Sequence, residues 1–236
     1  MGAALKINGV QKNFGTKRVL QDVSFEVGAG EVVGLVGNNG CGKTTLIKCC
    51  MGLLDYQGKI EILGADGGLI DARKNPKHTF LQMHWLTQPT GWYDAMSGYD
   101  NLSLYSKLYD KKLTKRDVLG VMEKCGLQED VATLVGSYSL GMTQRLAIAK
   151  CMLYKPKIIL MDEPLNGLDV NAVDLFVDWC KELREQGAAV LISCHDTNAV
   201  QRLCTRVVVV SKGKIVGQIT EMDDTLKERC VQLTGK

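Results

Sequence analysis

The chain has 236 residues, of which 45% are hydrophobic and 23% are charged, and its formal net charge is +3. This length suits one or two domains with a sizeable buried core, and the composition is ordinary for a soluble globular protein. The small, scattered charge argues against nucleic acid as a partner, and no apolar run approaches the roughly 18 residues that a membrane-spanning helix needs. The first residues also lack the charged-then-apolar pattern of a signal peptide.

Short β-type runs alternate with helical patterns along most of the chain. The N-terminal runs alternate apolar and polar residues, which predicts antiparallel strands with one solvent-exposed face. Later runs are continuously apolar and are separated by helical patterns, which predicts a buried, mainly parallel sheet. The predicted strands cover residues 5–10, 24–27, 31–36, 59–63, 79–86, 158–161, 189–193 and 206–211, and the predicted helices cover 44–51, 141–153, 171–186 and 197–203.

The middle of the chain has a different pattern. Between about residues 99 and 134 there is no convincing strand, and apolar residues recur at helical spacing in 101–109 and 118–125. We therefore predict one α/β domain over residues 1–236. A helical subdomain, approximately 89–140, interrupts a core of approximately 1–88 and 141–220, and a short C-terminal tail, 221–236, follows.

A glycine-rich loop follows the predicted strand 31–36 and precedes a helical pattern. Its sequence fits G-x-x-x-x-G-K-[ST], the phosphate-binding loop of nucleotide hydrolases. A strand that leads through a tight glycine loop into a helix N-terminus points several backbone N–H groups, and the positive end of the helix dipole, at one place. The sequence therefore predicts a nucleoside triphosphate site formed by Gly37, Asn38, Asn39, Gly40, Cys41, Gly42, Lys43, Thr44 and Thr45.

Nine cysteines are distributed along the chain without a C-x-x-C pair. Scattered cysteines in apolar or helical contexts are typical of buried, reduced thiols in a cytosolic protein, rather than of disulfides or a metal site. Cys41 is the exception because it lies in the phosphate-binding loop, where an alkylated thiol would obstruct nucleotide binding.

Two acidic residues, Asp162 and Glu163, follow the apolar run 158–161. In open parallel sheets, ligands bind at the carboxyl ends of the strands. One carboxylate at such a place can hold Mg²⁺ through water, and the next can orient or activate an attacking water. Beside a phosphate-binding loop, the pair indicates triphosphate hydrolysis rather than two solvated acids at a strand end.

The order of these motifs and of four further patterns resembles the nucleotide-binding subunits of ABC transporters. The further patterns are L-T-Q-P at 86–89, Y-S-L-G-M-T-Q-R at 138–145, L-D at 168–169 and a histidine at 195. The resemblance covers the chain from Leu5 to about Gly217. It implies a P-loop NTPase core with a mainly parallel sheet, an antiparallel N-terminal β-subdomain and an inserted helical subdomain. The Y-S-L-G-M form resembles an exporter branch that includes the bacitracin- and lantibiotic-protection type.

The resemblance also implies roles for individual positions of this sequence. The implied catalytic residues are Glu163, His195 and Gln88, and the implied Mg²⁺-binding residues are Thr44, Gln88 and, through water, Asp162. In a dimer, the ATP bound by the other subunit is contacted by Ser139, Gly141 and Met142. Asp169 contacts the other subunit itself, and adenine stacks on Phe14.

The sequence departs from the usual family pattern at several of these positions. Phe14 replaces a tyrosine but keeps the aromatic face that stacks. Asp100 replaces a glutamate, and Leu140 and Met142 replace a glycine and a glutamine of the signature. The changes in the signature leave the roles implied for Ser139 and Gly141 intact.

The resemblance implies an ATP-binding and ATP-hydrolysing subunit that powers a membrane transporter, and we expect an exporter driven by dimer closure. The implied cofactors are ATP and Mg²⁺. The implied partners are separate transmembrane permease subunits and a second ATPase subunit, either identical or related. The expected location is cytoplasmic, at the inner face of the plasma membrane.

Two questions stay open at this point. The helical region and the Gln88 loop are the predicted docking face for a permease, but the aromatic residues around that loop, Trp85, Trp92 and Tyr93, suit a core equally well. The alternative function is a soluble, non-transport ABC ATPase of the iron–sulfur assembly or cell-division type.

Overall fold

The computed structural model describes residues 2–86, 91–108, 112–166, 168 and 170–235. The chain divides into two compact units, the first comprising Met1–Trp85, Lys157–Pro164 and Cys180–Lys236, and the second Leu86–Pro156 and Leu165–Trp179. The strands are β1 (Ala3–Phe14), β2 (Lys17–Gly28), β3 (Val32–Val36), β4 (Gln57–Leu63), β5 (Leu69–Asp71), β6 (Met83–Leu86), β7 (Ile158–Asp162), β8 (Ala189–Ser193), β9 (Arg206–Ser211) and β10 (Lys214–Ile219). The helices are α1 (Lys43–Cys50), α2 (Pro76–Gln82), α3 (Gly98–Leu108), α4 (Lys115–Lys124), α5 (Leu140–Tyr154), α6 (Val170–Glu185), α7 (Thr197–Leu203) and α8 (Leu226–Thr234).

The N-terminal strands form an antiparallel sheet with the order β2-β1-β4-β5. Leu5 pairs with Val27 of β2 and with Ile62 of β4, and all three side chains are buried in the core. Buried and exposed residues alternate along the second half of β2, as expected for a sheet with one covered face. The predicted antiparallel N-terminal subdomain is confirmed.

The second sheet is mainly parallel, with the order β10-β9-β3-β8-β7-β6. Strand β3 runs parallel to β8 and β9, and β7 runs parallel to β8. Every residue of β3 and β8 is buried, which explains why these strands read as unbroken apolar runs. Because the carboxyl ends of parallel strands meet at one edge, the residues that follow Val36, Met161 and Ile192 gather there.

The structure corrects the strand predicted over residues 79–86. Helix α2 occupies Pro76–Gln82, and strand β6 begins only at Met83. Pro76 presets helical backbone angles in the first turn, and the Thr79 hydroxyl donates to the carbonyl oxygen of Asn75 at 3.0 Å. This signal for the start of a helix outweighs the β propensity of Thr79 and Phe80.

Three further elements, β5, β10 and α8, had no counterpart in the sequence-based prediction, and all three residues of β5 are only partly buried. Strand β10 is half exposed along most of its length, and α8 buries only Leu226 and Cys230. A pattern with so few buried positions gives too weak a periodicity to identify an element from the sequence.

Helices α3, α4 and α5 pack together in the second unit. Helices α3 and α4 lie in the two stretches whose apolar spacing predicted them. Helix α5, which the sequence analysis grouped with the α/β core, packs here against α3, and the Tyr154 hydroxyl donates to the carbonyl oxygen of Leu102 at 3.1 Å. Within the described ranges, no helix combines the length and the apolar character needed to cross a membrane.

Asn101 connects helix α3 to the preceding loop of the second unit. Its side chain is fully buried; its oxygen accepts from the N–H of Tyr93 at 2.9 Å, and its nitrogen donates to the carbonyl oxygens of Tyr93 and Ser97 at 3.0 Å each. We expect Asn101→Ala to lower the free energy of unfolding by about 2 kcal/mol, measured by urea denaturation, because these bonds are lost in a buried place. The exposed Asn8→Ala in β1 is the control, with an expected change below about 0.5 kcal/mol. Equal stability of the two variants would contradict this role of Asn101.

Candidate active site

The glycine-rich loop joins the end of β3 to the start of α1 as the sequence predicts. Gly40 and Gly42 have φ angles of 77° and 113°, in the region that favours glycine. The Lys43 side chain is 6% exposed, and its Nζ donates to the carbonyl oxygen of Gly37 at 2.8 Å and to that of Asn38 at 3.5 Å. The ammonium group therefore lies back across the loop, next to the N-terminus of α1.

Close packing beneath the loop fixes Gly37. A Cβ atom added there would lie 2.1 Å from the carbonyl oxygen of Val210 and 2.8 Å from the Cys41 Sγ. Since the nearer atom belongs to the backbone of a central strand, it cannot move aside as a side chain would. Glycine is therefore needed at this position for the loop to lie against β9.

The Cys41 thiol is part of the hydrophobic core and is only 7% exposed. Its backbone is also engaged, because its N–H donates to the carbonyl oxygen of Asn38 and its own carbonyl oxygen accepts from the N–H of Gly213, each at 3.1 Å. The expectation that alkylation at Cys41 would obstruct nucleotide binding assumed an accessible thiol, and the structure places that thiol inside the protein instead.

All nine cysteines are buried and free, as the sequence predicts. Burial raises the pKa of the Cys49 thiol to about 11, and it raises the pKa of Cys125 and of Cys151 to about 12. Thiols held protonated in this way are poor nucleophiles and poor metal ligands.

Asp162 lies at the carboxyl end of β7, next to the phosphate-binding loop. Its Oδ1 accepts from the Thr44 hydroxyl at 3.1 Å and from the Ser193 hydroxyl at 2.6 Å. The structure thus brings together two of the three residues implied to hold Mg²⁺, a hydroxyl and a carboxylate.

Glu163 follows with a positive φ angle of 48°, in the left-handed region. A non-glycine residue in that region costs about 1 kcal/mol or more, and such residues cluster at functional sites. Its N–H donates to both the hydroxyl and the carbonyl oxygen of Ser193, at 3.0 and 3.2 Å. Its side-chain Oε2 lies 2.8 Å from Nδ1 of His195, so the two implied catalytic residues contact each other.

Ser193 is the residue of this cluster that the sequence analysis missed. It ends β8, is fully buried, and contacts both acidic residues. The available signal was a hydroxyl residue at the end of an otherwise apolar run, two positions before His195.

The remaining implied residues belong to other segments of the chain or fall outside the described residues. Phe14 ends β1 with 48% of its surface exposed, and the Nζ of Lys12 lies 5.0 Å from its ring centroid. In the second unit, Ser139 is the N-cap of α5, and its hydroxyl accepts from the N–H of Met142 at 3.2 Å. Gly141 lies in the same first turn. Gln88 and Asp169 fall outside the described residues.

A cavity of about 480 Å³ in the first unit adjoins this cluster. It is bordered by the loop from Val36 to Asn39, by His195 and by one face of α8, which includes Lys227. The cavity leaves open space between the phosphate-binding loop and the histidine that contacts Glu163.

The chain is similar to known proteins along most of its length. A family model described as ABC transporter matches residues 20–166. The chain is 36% identical over 218 residues to an uncharacterized ABC transporter ATP-binding protein, YdbJ, of Bacillus subtilis (strain 168), which covers 92% of this chain and 69% of that protein. It is 31% identical over 232 residues to the bacitracin transport ATP-binding protein BcrA of Bacillus licheniformis, covering 97% and 73% of the two chains.

Solved structures give the same result. The fold superposes on the ATP binding subunit of an ABC transporter with a TM-score of 0.84 and 26% identity, over 99% of this chain and 95% of that chain. A protein from Clostridium perfringens that is part of the ABC transporter complex cbiONQ matches with a TM-score of 0.79 and 25% identity, over 98% and 93% of the two chains.

Proposed function

Because the chain belongs to the ABC transporter family, whose ATP-binding domain hydrolyses ATP to ADP and phosphate, we propose that it powers a membrane exporter through ATP-driven closure of a dimer. The observation that carries the proposal is the hydrogen-bonded cluster of the first unit. It joins Thr44, Asp162, Glu163 and His195 beside the phosphate-binding loop. The Y-S-L-G-M form, which resembles an exporter branch, supports the direction of transport, and the similarity to a bacitracin transport ATP-binding protein supports a role in transport.

The oxygen-rich end of the cluster fits Mg²⁺. A threonine hydroxyl and a carboxylate lie 3.1 Å apart, and Mg²⁺ prefers such oxygen ligands together with water and phosphate oxygens. We assign Thr44 and Gln88 as direct ligands and Asp162 as a ligand through water. A bound Mg²⁺ would neutralise charge on the phosphates.

In this proposal the phosphate-binding loop binds the phosphates of ATP, and Glu163 and His195 act on the attacking water and the γ-phosphate. Lys43 exchanges its contacts with the loop carbonyls for contacts with the β- and γ-phosphates, and the loop N–H groups bind the same phosphates. Glu163 orients the water and accepts its proton, and His195, which touches Glu163, stabilises charge on the γ-phosphate. Phosphoryl transfer depends mainly on such alignment and charge stabilisation. Phe14 offers an exposed ring on which adenine stacks.

The second half of each site comes from another subunit in this proposal. Ser139 caps the N-terminus of α5, a place that suits phosphate because unpaired N–H groups and the helix dipole point outward there. Ser139, Gly141 and Met142 contact the γ-phosphate of ATP bound to the other subunit, and Asp169 contacts that subunit directly. ATP therefore holds two subunits together, and hydrolysis lets them separate.

A groove in the first unit is a suitable place for a permease to dock. The cavity measures about 440 Å³ and is lined by the end of α1, by α2 and by β6. Phe80 is 38% exposed at this groove and packs edge-on against Trp85, with ring centroids 6.5 Å apart; Leu53, just beyond α1, is 60% exposed. We propose that a cytoplasmic segment of the membrane subunit inserts an apolar side chain here. Trp85, which lines this groove, is one of the aromatic residues that the sequence analysis considered for a docking face around the Gln88 loop.

Affinity purification tests this partner. The tagged chain, expressed in its native host and purified from detergent-solubilised membranes, is expected to retain a protein with several membrane spans. Phe80→Glu should lower the yield of that protein about tenfold because it places a charge in an apolar contact, and it should leave ATP hydrolysis unchanged. Val216→Glu, on β10, is the matched control, since Val216 is also 38% exposed. Retention of soluble assembly factors alone would overturn the transport function.

A further inference from the structure

Ser193 is a fully buried hydroxyl residue in the mainly parallel sheet. It ends the apolar strand β8, pairs in parallel register with Asp162 of β7, and is 0% exposed. A buried hydroxyl must find hydrogen-bond partners, since leaving it unpaired costs about 1–3 kcal/mol. Both of its partners are residues of the proposed hydrolytic site.

The direction of these bonds follows from the chemistry of the partners. The backbone N–H of Glu163 can only donate, so the Ser193 hydroxyl accepts that bond, at 3.0 Å. The single hydroxyl proton is then free for the 2.6 Å bond to Oδ1 of Asp162, which can only accept when ionised. One hydroxyl therefore contacts two consecutive acidic residues in a defined donor and acceptor arrangement.

We propose that Ser193 is a positioning residue for ATP hydrolysis, one that holds the Asp162 carboxylate and the Glu163 backbone in their working orientations. This inference rests on the proposed function of those two acids. The Oδ1 of Asp162 accepts hydrogen bonds from both Ser193 and Thr44, so the serine fixes how the carboxylate is turned toward the proposed Mg²⁺ site. Bonds to Ser193 also support the left-handed backbone of Glu163, which directs its side chain to His195.

The Ser193 hydroxyl contributes little to the stability of the fold. Strands β7 and β8 already pair through their backbones, and the N–H of Glu163 keeps the carbonyl oxygen of Ser193 as an acceptor at 3.2 Å if the hydroxyl is removed. Alanine also occupies nearly the same volume as serine. Ser193→Ala is therefore expected to fold and to melt close to the parent temperature, so that its kinetic effects report on the site.

The test compares Ser193→Ala and Ser193→Thr with the control Ser24→Ala. Ser24 also accepts a bond from a backbone N–H, that of Gly9 at 2.8 Å, but does so in the antiparallel sheet. Mutation of a residue that orients a metal ligand typically lowers activity or metal affinity by about 10–100-fold. We expect Ser193→Ala to lower kcat by that factor with KM for ATP nearly unchanged, Ser193→Thr to restore at least part of kcat, and Ser24→Ala to match the parent.

A second measurement does not depend on turnover. Electron paramagnetic resonance of Mn²⁺, added with a non-hydrolysable ATP analogue, is expected to show about tenfold weaker Mn²⁺ binding in Ser193→Ala and parent affinity in Ser24→Ala. Parent values of both kcat and Mn²⁺ affinity in Ser193→Ala would overturn the inference. So would a folded Ser193→Thr variant as impaired as the alanine variant, because packing rather than the hydroxyl would then be responsible. If Ser193→Thr does not fold, the two alanine variants decide the matter. The proposed roles of the acids would fail separately, through a Glu163→Gln variant that hydrolyses ATP at the parent rate.

Discussion

Replacing Lys43 with alanine is expected to abolish tight ATP binding. The buried ammonium is the only side-chain cation that the described loop brings to the N-terminus of α1, where its nitrogen bonds the carbonyl oxygens of Gly37 and Asn38. Charge-assisted bonds to phosphate are about twice as strong as neutral ones, and losing them together with their charge should weaken binding about 100-fold or more. Titration with a fluorescent ATP analogue measures the effect.

The matched control for this variant is Lys48→Ala. Lys48 lies in the last turn of the same helix with its side chain exposed. Lys48→Ala therefore makes the same change in net charge and in helix composition as Lys43→Ala. We expect the control to bind ATP with the parent affinity. If Lys43→Ala also retained the parent affinity, the phosphate-binding role of this loop would be wrong.

Glu163→Gln is expected to separate ATP binding from ATP hydrolysis. The amide fills the space of the carboxylate and can still contact His195, but it cannot accept a proton from water. General base catalysis contributes about 10²–10⁴-fold, so phosphate release should fall by at least about 100-fold while ATP affinity stays near the parent value. With hydrolysis blocked, ATP should hold two subunits together, and size-exclusion chromatography with ATP should show a stable dimer.

An exposed glutamate provides the control for that experiment. Glu185→Gln, at the end of α6, makes the same chemical change away from the site and should keep the parent rate of phosphate release. A Glu163→Gln protein that remained monomeric with saturating ATP would argue against closure of a dimer, even if its turnover were lost.

Features that are contiguous in the chain were predictable from the sequence. The phosphate-binding loop fills eight consecutive positions, and Asp162 and Glu163 follow one apolar run, so both could be recognised without knowing the sheet order. The mainly parallel sheet was predictable for a related reason, because strands buried on both faces have no polar alternation.

Features that depend on register between distant segments were not predictable. The importance of Ser193 arises only because β7 and β8 pair so that Asp162 lies opposite it, 31 residues away in sequence. The left-handed backbone of Glu163 depends on the same pairing. Helix α2 was missed for a local reason, since a proline in the first turn outweighed β propensity, and α8 was missed because it buries so few side chains.

The burial of every thiol affects how the cysteines of this ATPase react with oxidants. A shielded sulfur reacts only when the segment around it opens, and at Cys125, where burial raises the pKa of the thiol, opening also removes the cause of that shift. Oxidative modification is then limited by local unfolding and not by the intrinsic reactivity of the cysteines. The two units carry separate thiols, Cys125 and Cys151 in the second and Cys41 among those of the first. Oxidation at a given cysteine is therefore expected to show which segment had opened, and the folded chain is expected to resist thiol oxidation.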